Sequence, residues 1–151
     1  WLRDDPSLGF QAVLFVFAVV WGSDIGAFAA GRGIGGPKLW PRVSPNKTWA
    51  GLFGGLTAGL VAGIIFAQFV AGTSSVGLAI TGLVLAVFAQ MGDLAESALK
   101  RRFGIKDSSA LIPGHGGVMD RADSIVAVSI AVAMLALVVK AASPARALFG
   151  L

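Results

Sequence analysis

The sequence is poor in the residues that form covalent cross-links and soft metal sites. It contains no cysteine and a single histidine, His115. Disulfides, thiol nucleophiles, cysteine-ligated zinc or iron and multi-histidine metal sites are therefore excluded. Any metal must be a hard cation held by oxygen ligands, such as Mg²⁺, Mn²⁺ or Ca²⁺, and Mg²⁺ is favoured where a nucleotide is also bound.

Charged residues are scarce as well. They make up 13% of the 151 residues, whereas hydrophobic residues make up 56%, and the mean hydropathy is +0.81. A soluble domain of this size could not bury so much apolar surface. The composition therefore predicts an integral membrane protein.

Apolar stretches at residues 9–29, 49–70, 76–101 and 123–140 are candidate membrane spans, and residues 48–92 form 45 consecutive positions without a charged side chain. A hydrocarbon core of about 30 Å takes roughly 20 helical residues. Because lipid offers no hydrogen-bond partners to the backbone, these stretches should be helices. We expect an all-α antiparallel bundle of about four transmembrane helices with polar cytoplasmic loops. It would form one membrane-embedded domain over residues 1–151, a fragment of a longer chain that has further N-terminal helices.

Basic residues gather in the loop after the first span and in the loop after the third. They are Arg32, Lys38, Arg42 and Lys47 in the first loop and Lys100, Arg101, Arg102 and Lys106 in the second. The positive-inside rule places both loops in the cytoplasm. This bias also explains the pI of about 10.1, so nucleic-acid binding is not expected.

Glycines in the second span recur every four residues, at Gly51, Gly55, Gly59 and Gly63. This spacing puts them on one helix face, where a neighbouring helix can approach closely. The face predicts tight packing within the bundle or in a homodimer; a lipid groove is the functional alternative.

Six of the eight acidic residues lie in or beside the predicted spans: Asp24, Asp93, Glu96, Asp107, Asp120 and Asp123. An ionised carboxylate in the bilayer is costly and usually faces a polar cavity with a function. If the third helix packs beside the start of the fourth, then Asp93, Asp120 and Asp123 can converge on one cation. Two structural alternatives stay open: Glu96 could pair with Lys100 on the helix surface, and Asp123 could cap the fourth helix.

Residues 97–123, which we call the polar block, hold eight of the twenty charges and the sole histidine. Lysines and arginines that can meet phosphate lie there beside acids that can hold a divalent cation. The turn at residues 113–117, Pro-Gly-His-Gly-Gly, can present consecutive N–H groups to an anion, although such turns are also common without function. The combination favours phosphoryl or nucleotidyl transfer. The loop at residues 31–48 repeats the glycine-rich, basic theme, or is an ordinary positive-inside loop.

The polar block resembles the signature of the phosphatidate cytidylyltransferases, also called CDP-diacylglycerol synthases. The similarity is carried by Ser-Ala-Leu-Lys-Arg at 97–101, Lys-Asp at 106–107, Pro-Gly-His-Gly-Gly at 113–117 and Asp-Arg-Ala-Asp at 120–123. Upstream, Trp-Gly-Ser-Asp at 21–24, Gly-Arg at 31–32 and Ser-Pro-Asn-Lys-Thr at 44–48 are similar to another block of that family.

The resemblance implies an integral membrane enzyme, in a bacterial inner membrane with its site facing the cytoplasm. Such an enzyme makes CDP-diacylglycerol and pyrophosphate from CTP and phosphatidate with Mg²⁺ or Mn²⁺, and the sequence leaves open whether a second, monovalent cation assists. Metal-centre acids would be Asp93, Asp120 and Asp123. Other catalytic positions would be Lys100, Arg101, Lys106, His115 and Arg121, and substrate-binding positions would be Asp24, Arg32, Lys47, Ser97, Gly114, Gly116 and Gly117.

Rival functions are a CTP-dependent lipid kinase, a transporter that uses Asp24, Asp93 and Glu96 as an ion relay, and a non-catalytic assembly fragment. A kinase would release free CDP, whereas a cytidylyltransferase would leave the cytidine nucleotide on the lipid.

Overall fold

The computed structural model describes residues 1–105, 119–139 and 141–151, with the backbone alone for 119–122. Its helices are α1 (Gly9–Gly33), α2 (Trp49–Phe66), α3 (Ser75–Arg102), α4 (Met119–Val139) and α5 (Pro144–Phe149), and a short 3₁₀ helix at Leu2–Asp4 precedes them. Strands β1 (Lys38–Trp40) and β2 (Ser44–Thr48) form an antiparallel hairpin between α1 and α2. The predicted helical membrane architecture is confirmed.

Three helices within the described part of the chain, α1, α2 and α3, are long and apolar enough to cross a membrane. The apolar part of α4, residues 123–139, is shorter. The protein is therefore an integral membrane protein whose spans differ from the predicted ones mainly at their ends. In particular, α1 continues to Gly33, past the predicted end at residue 29, and α4 begins at Met119 instead of residue 123.

The glycine face of α2 explains how the bundle closes. A Cβ on Gly51 would lie 2.9 Å from the carbonyl oxygen of Ala27 in α1, and a Cβ on Gly59 would lie 2.5 Å from the Cβ of Ala86 in α3. All four glycines of the face are buried. Their partners in α1 and α3 run in reverse order along the chain, so neighbouring helices are antiparallel.

This packing corrects the expectation of a homodimer through Gly51, Gly55, Gly59 and Gly63. The face is already covered by α1 and α3 of the same chain, so it cannot also receive a second copy. The four-residue glycine period thus reports close packing inside the bundle, as it does in many membrane proteins.

The hairpin and α5 were not predicted. Two glycines with positive φ, Gly35 at 69° and Gly36 at 93°, turn the chain out of α1 into β1, a conformation that glycine adopts without a steric penalty. At the other end of the hairpin, the hydroxyl of buried Thr48 accepts a hydrogen bond from Gly51 N (3.0 Å) and so caps α2. The end of β2 is thereby fixed to the start of α2.

Helix α5 covers the end of the bundle that is formed by the start of α1 and the end of α2. The buried ring of Phe15 lies 5.2 Å from that of Phe66 and 6.0 Å from that of Phe149, measured between centroids. A polar clamp joins α5 to the N-terminal segment, because Ser143 Oγ donates to Asp5 Oδ2 (2.6 Å) and Arg146 Nε lies 3.5 Å from the same oxygen. The hydroxyl of Ser143 and the backbone N–H of Leu8 hold the pKa of Asp5 well below its usual range.

Alanine at Gly59 should destabilise the bundle. Its Cβ would overlap Ala86 and lie 2.7 Å from the carbonyl oxygen of Gly82, and overpacking of this kind costs about 1–3 kcal/mol. Gly22→Ala is the matched control, since its Cβ would meet nothing within 4 Å. Equilibrium unfolding in mixed micelles titrated with SDS measures both. Equal stability of the two variants would contradict the packing described here.

Acidification should weaken the Asp5 clamp. Because the folded-state pKa of Asp5 is depressed, its contribution to stability is present above the ordinary aspartate pKa of about 4 and is lost as the pH falls below that value. Ser143→Ala should therefore lose less stability than the unmodified chain between pH 7 and pH 3. Ser129→Ala, which removes an exposed hydroxyl bonded to the Ile125 carbonyl, is the control. An identical pH dependence in all three proteins would rule out the clamp.

Candidate active site

A cavity of about 600 Å³ lies among α1, α2, α3, α4 and the hairpin. Its acidic lining residues come from three helices: Asp24 from α1, Asp93 from α3 and Asp123 from α4. The structure thus brings together three predicted site residues that are separated by up to 99 positions in the sequence. All three carboxylates therefore border the same cavity instead of facing only lipid.

One face of α1 forms a wall of the cavity. The lining residues Trp21, Asp24 and Phe28 follow the i, i+3, i+7 spacing of a helix face. All three side chains are exposed, and both aromatic residues line the same cavity as the carboxylate. Arg32, one turn farther along, places its guanidinium 5.9 Å from the centre of the Phe28 ring, so a cation lies next to this wall.

The hairpin delivers the cation that lines the cavity. Lys47, in β2, places its Nζ 2.6 Å from Asp93 Oδ2, and the Lys47 side chain is 19% exposed. Ser97, one turn after Asp93 in α3, has its Oγ 3.4 Å from Asp93 Oδ1 as a donor. Asp93 is therefore held from two sides, by Lys47, which lines the cavity, and by Ser97. Both were predicted to bind substrate, and that role stays a prediction.

Helices α3 and α4 pack side by side near Asp93 and Asp123. This packing is the arrangement that the predicted convergence of carboxylates on one cation requires. A Cβ on Gly92 would lie 2.5 Å from Ala127 Cβ and 3.0 Å from the Asp123 carbonyl oxygen. Asp123 lies inside α4, where its Oδ1 accepts from Ser124 N at 2.7 Å. It is not the N-cap of the helix, because α4 begins four residues earlier.

Other predicted residues lie outside the cavity lining as far as the structure describes it. Lys100 Nζ lies 3.5 Å from Glu96 Oε1, so the two residues do pair, but their side chains are only 18% and 11% exposed and do not lie on an open helix surface. Arg101 instead approaches the hairpin, where its Nε donates to the Val43 carbonyl at 3.4 Å. Predictions for Lys106, Gly114, His115, Gly116 and Gly117 fall outside the described residues, and so do those for the side chains of Asp120 and Arg121.

Sequence reasoning missed two residues: Gln90, which lines the cavity, and Ser23, which contacts Gln90. Gln90 lies 6% exposed in α3, and its Nε2 donates to Oγ of the fully buried Ser23 in α1 (3.1 Å). The available signal was the position of Gln90, three residues before Asp93 on the same helix face and within an otherwise apolar run.

The charges of the cavity suit a divalent cation. Three carboxylates and one ammonium group among the described lining residues leave two negative charges around a cavity in a membrane bundle, and carboxylate oxygens are the donors that Mg²⁺ and Mn²⁺ prefer. No three acidic or histidine side chains of the described part lie close enough to hold one ion together. Asp24, Asp93 and Asp123 are nevertheless the groups around which an ion could be held, with Asp120 as the remaining predicted acid.

Several known proteins, and the model of one protein family, are similar in sequence to this chain. The model of the cytidylyltransferase family matches residues 1–139. The phosphatidate cytidylyltransferase of Brucella suis biovar 1 (strain 1330) is 50% identical over 126 residues, which cover 83% of this chain and 47% of that protein. A phosphatidate cytidylyltransferase of Staphylococcus epidermidis (strain ATCC 12228 / FDA PCI 1200) is 45% identical over 119 residues, 78% of this chain and 46% of that protein. The chain spans about half the length of these relatives.

Neutralising one carboxylate should separate the effect of a metal from that of repulsion. In EDTA, Asp24→Asn should be at least as stable as the unmodified protein, because it removes a charge that faces Asp93 and Asp123. Addition of Mg²⁺ should then stabilise the unmodified protein more than the variant; a ligand at 100 times its dissociation constant contributes about 2.7 kcal/mol.

Thermal unfolding in detergent, with and without Mg²⁺, measures this difference. Asp4→Asn, at an exposed position, is the control and should respond to Mg²⁺ like the unmodified protein. An equal response of Asp24→Asn would remove Asp24 from the cation site.

Proposed function

The chain belongs to the cytidylyltransferase family, and on that premise we propose that it carries out phosphatidate cytidylyl transfer. CMP would pass from CTP to phosphatidate, giving CDP-diacylglycerol and pyrophosphate for phospholipid synthesis. The observation that carries the proposal is the cavity in which Asp24, Asp93 and Asp123 face Lys47 inside a membrane bundle. Phosphatidate cytidylyltransferases that are 45–50% identical over most of the chain support it.

The reaction brings two polyanions together, and that is its main electrostatic difficulty. Two like unit charges 4 Å apart repel by about 4 kcal/mol at an effective dielectric constant near 20. Cations are needed to bring the lipid phosphate and the triphosphate into contact. Lys47 supplies one at the cavity, and Arg32 supplies another beside the Phe28 wall. The predicted contributions of Lys106, His115 and Arg121 would add to them.

The acids would hold Mg²⁺ or Mn²⁺ in this cavity, with Asp93 and Asp123 joined by Asp24 and by the predicted ligand Asp120. When bound, the divalent ion neutralises phosphate charge and polarises the phosphoryl group. Lys47 pairs with Asp93 through Nζ and so brings a positive charge to the cavity. A monovalent ion as a second cation belongs to the same proposal.

The covalent step itself needs little help from the protein. An ionised oxygen of the phosphatidate phosphate attacks the α-phosphorus of CTP, a new P–O bond forms, and the bond to the β-phosphate oxygen breaks as pyrophosphate leaves in line. The attacking oxygen already carries its electron pair near neutral pH, so no general base is required. The residues of the cavity would position the two phosphates and stabilise the charge that moves to the leaving group.

The membrane setting fits a lipid and a nucleotide as partners. Exposed Trp21 and Phe28 border the carboxylate of Asp24 on the outer face of α1, so acyl chains could remain in the bilayer while the headgroup enters the cavity. The basic residues of the α1–α2 connection favour, by the positive-inside rule, an orientation with this end of the bundle toward the cytoplasm. We propose the inner membrane of a bacterium, with CTP arriving from the cytoplasm.

Product analysis with the full-length protein tests the proposal. CTP labelled at the α-phosphate, phosphatidate and Mg²⁺ should give labelled lipid and unlabelled pyrophosphate, and EDTA should stop the reaction. Asp93→Asn should lower the rate by at least about 100-fold, the scale of losing one group that stabilises transition-state charge. The control Asp4→Asn should keep the full rate.

Label recovered as free CDP would indicate phosphoryl transfer to an alcohol and so contradict the proposed reaction. Near-normal turnover of Asp93→Asn would remove Asp93 from the site.

A further inference from the structure

Gln90 and Ser23 form a buried polar pair between two membrane helices. Ser23 in α1 is 0% exposed and Gln90 in α3 is 6% exposed, and Gln90 Nε2 donates to Ser23 Oγ over 3.1 Å. A carboxamide in such surroundings is costly unless its polar atoms have partners. The carbonyl oxygen at the other end of the Gln90 amide therefore also needs a polar partner.

The carbonyl end of Gln90 reaches the charged part of the cavity. Its Oε1 accepts from Lys47 Nζ at 3.4 Å, and the same Nζ lies 2.6 Å from Asp93 Oδ2. An ammonium group has only donors, so it must face the carbonyl oxygen, and the amide NH₂ must then face the serine hydroxyl. The two neighbours therefore fix the orientation of the amide.

Helix α2 closes the third side of this pair. A Cβ on Gly55 would lie 2.7 Å from Gln90 Nε2 and 2.9 Å from Ser23 Oγ. Only a residue without a side chain leaves the amide where it is. Residues of α1, α2 and α3 thus fix the position of the Gln90 amide independently of its contact with Lys47.

We propose that Gln90 is a positioning residue that acts through Lys47. Anchored on Ser23, its carbonyl oxygen restrains the flexible lysine so that the ammonium group stays at Asp93 and faces the cavity, where the phosphates of a nucleotide would meet it. The consequence for catalysis rests on the proposed function, whereas the restraint on Lys47 does not.

A double-mutant cycle in the full-length protein separates positioning from packing. Gln90→Leu, which removes the amide at similar volume, should lower kcat/KM for CTP by about tenfold, a typical effect of losing an outer-shell partner. In a Lys47→Met background, the same substitution should cause no further loss, because the group it acts through is gone. Losses that multiply in the double variant would overturn the proposal. Gln68→Leu, at an exposed glutamine of the α2–α3 connection, is the matched control with unchanged activity.

Gly55→Ala provides an independent variant that displaces the amide without removing it. It should lower kcat/KM more than Gly59→Ala, whose Cβ would meet only Ala86 and Gly82, although both should reduce thermal stability. Equal activity losses in these two variants would assign the effect to helix packing and contradict the proposal.

The restraint on Lys47 can be read without any turnover. In the intact protein, Lys47 should react slowly with an amine-acylating reagent, as followed by mass spectrometry, and Gln90→Leu should raise that rate several-fold relative to Lys38, an exposed internal reference in β1. An unchanged Lys47 rate would overturn the positioning role even in an active enzyme. If the Lys47 acylation rate rises in a protein that has no cytidylyltransferase activity, the positioning role of Gln90 is supported and the proposed function is refuted instead.

Discussion

The close approach of α2 to its two neighbours is the constraint on which the rest of the structure depends. Glycine at every fourth position lets one face of α2 lie close to the backbone of α1 near Gly51 and close to that of α3 near Gly59 and Gly63. Because Gly55 of α2 has no side chain, Ser23 of α1 and Gln90 of α3 can come within hydrogen-bond distance of each other beside it. The same geometry turns Asp24 and Asp93 toward one volume. A side chain at the glycine positions would move the helices apart and disperse the carboxylates.

The cavity balances an unfavourable set of charges. Carboxylates in membrane helices are costly, and three of them side by side also repel each other. Lys47 offsets part of this charge, but it can do so only because the hairpin turns back into the bundle and Thr48 anchors its end as the cap of α2. The negative charge that remains is the property that would suit the site to the divalent cation and the nucleotide of the proposed function. A destabilised site of this kind gains stability when its ligand binds.

Much of this architecture could be predicted from the sequence, and the failures have physical causes. The long uncharged run of residues 48–92 fixes helices because a chain in lipid has no other way to satisfy its backbone. The hairpin is too short to give a strand pattern and contains two prolines, Pro41 and Pro45, and α5 has only six residues. The glycine period predicts close packing but not the identity of the partner, which is why packing within the bundle and packing in a homodimer were both left open. Asp24 and Lys47 were recognised in the resemblance to a family block; Ser23 and Gln90, without charge, gave no comparable signal.

The account's central claim is that the cavity bordered by Asp24, Asp93 and Asp123 binds a divalent cation together with a nucleotide. The most direct measurement is an anomalous difference map from crystals of the full-length protein grown with Mn²⁺ and CTP. The account predicts a manganese peak in this cavity, next to Asp93 and to density for the triphosphate. A well-ordered nucleotide and manganese bound elsewhere, with Asp93 still paired only to Lys47, would contradict it.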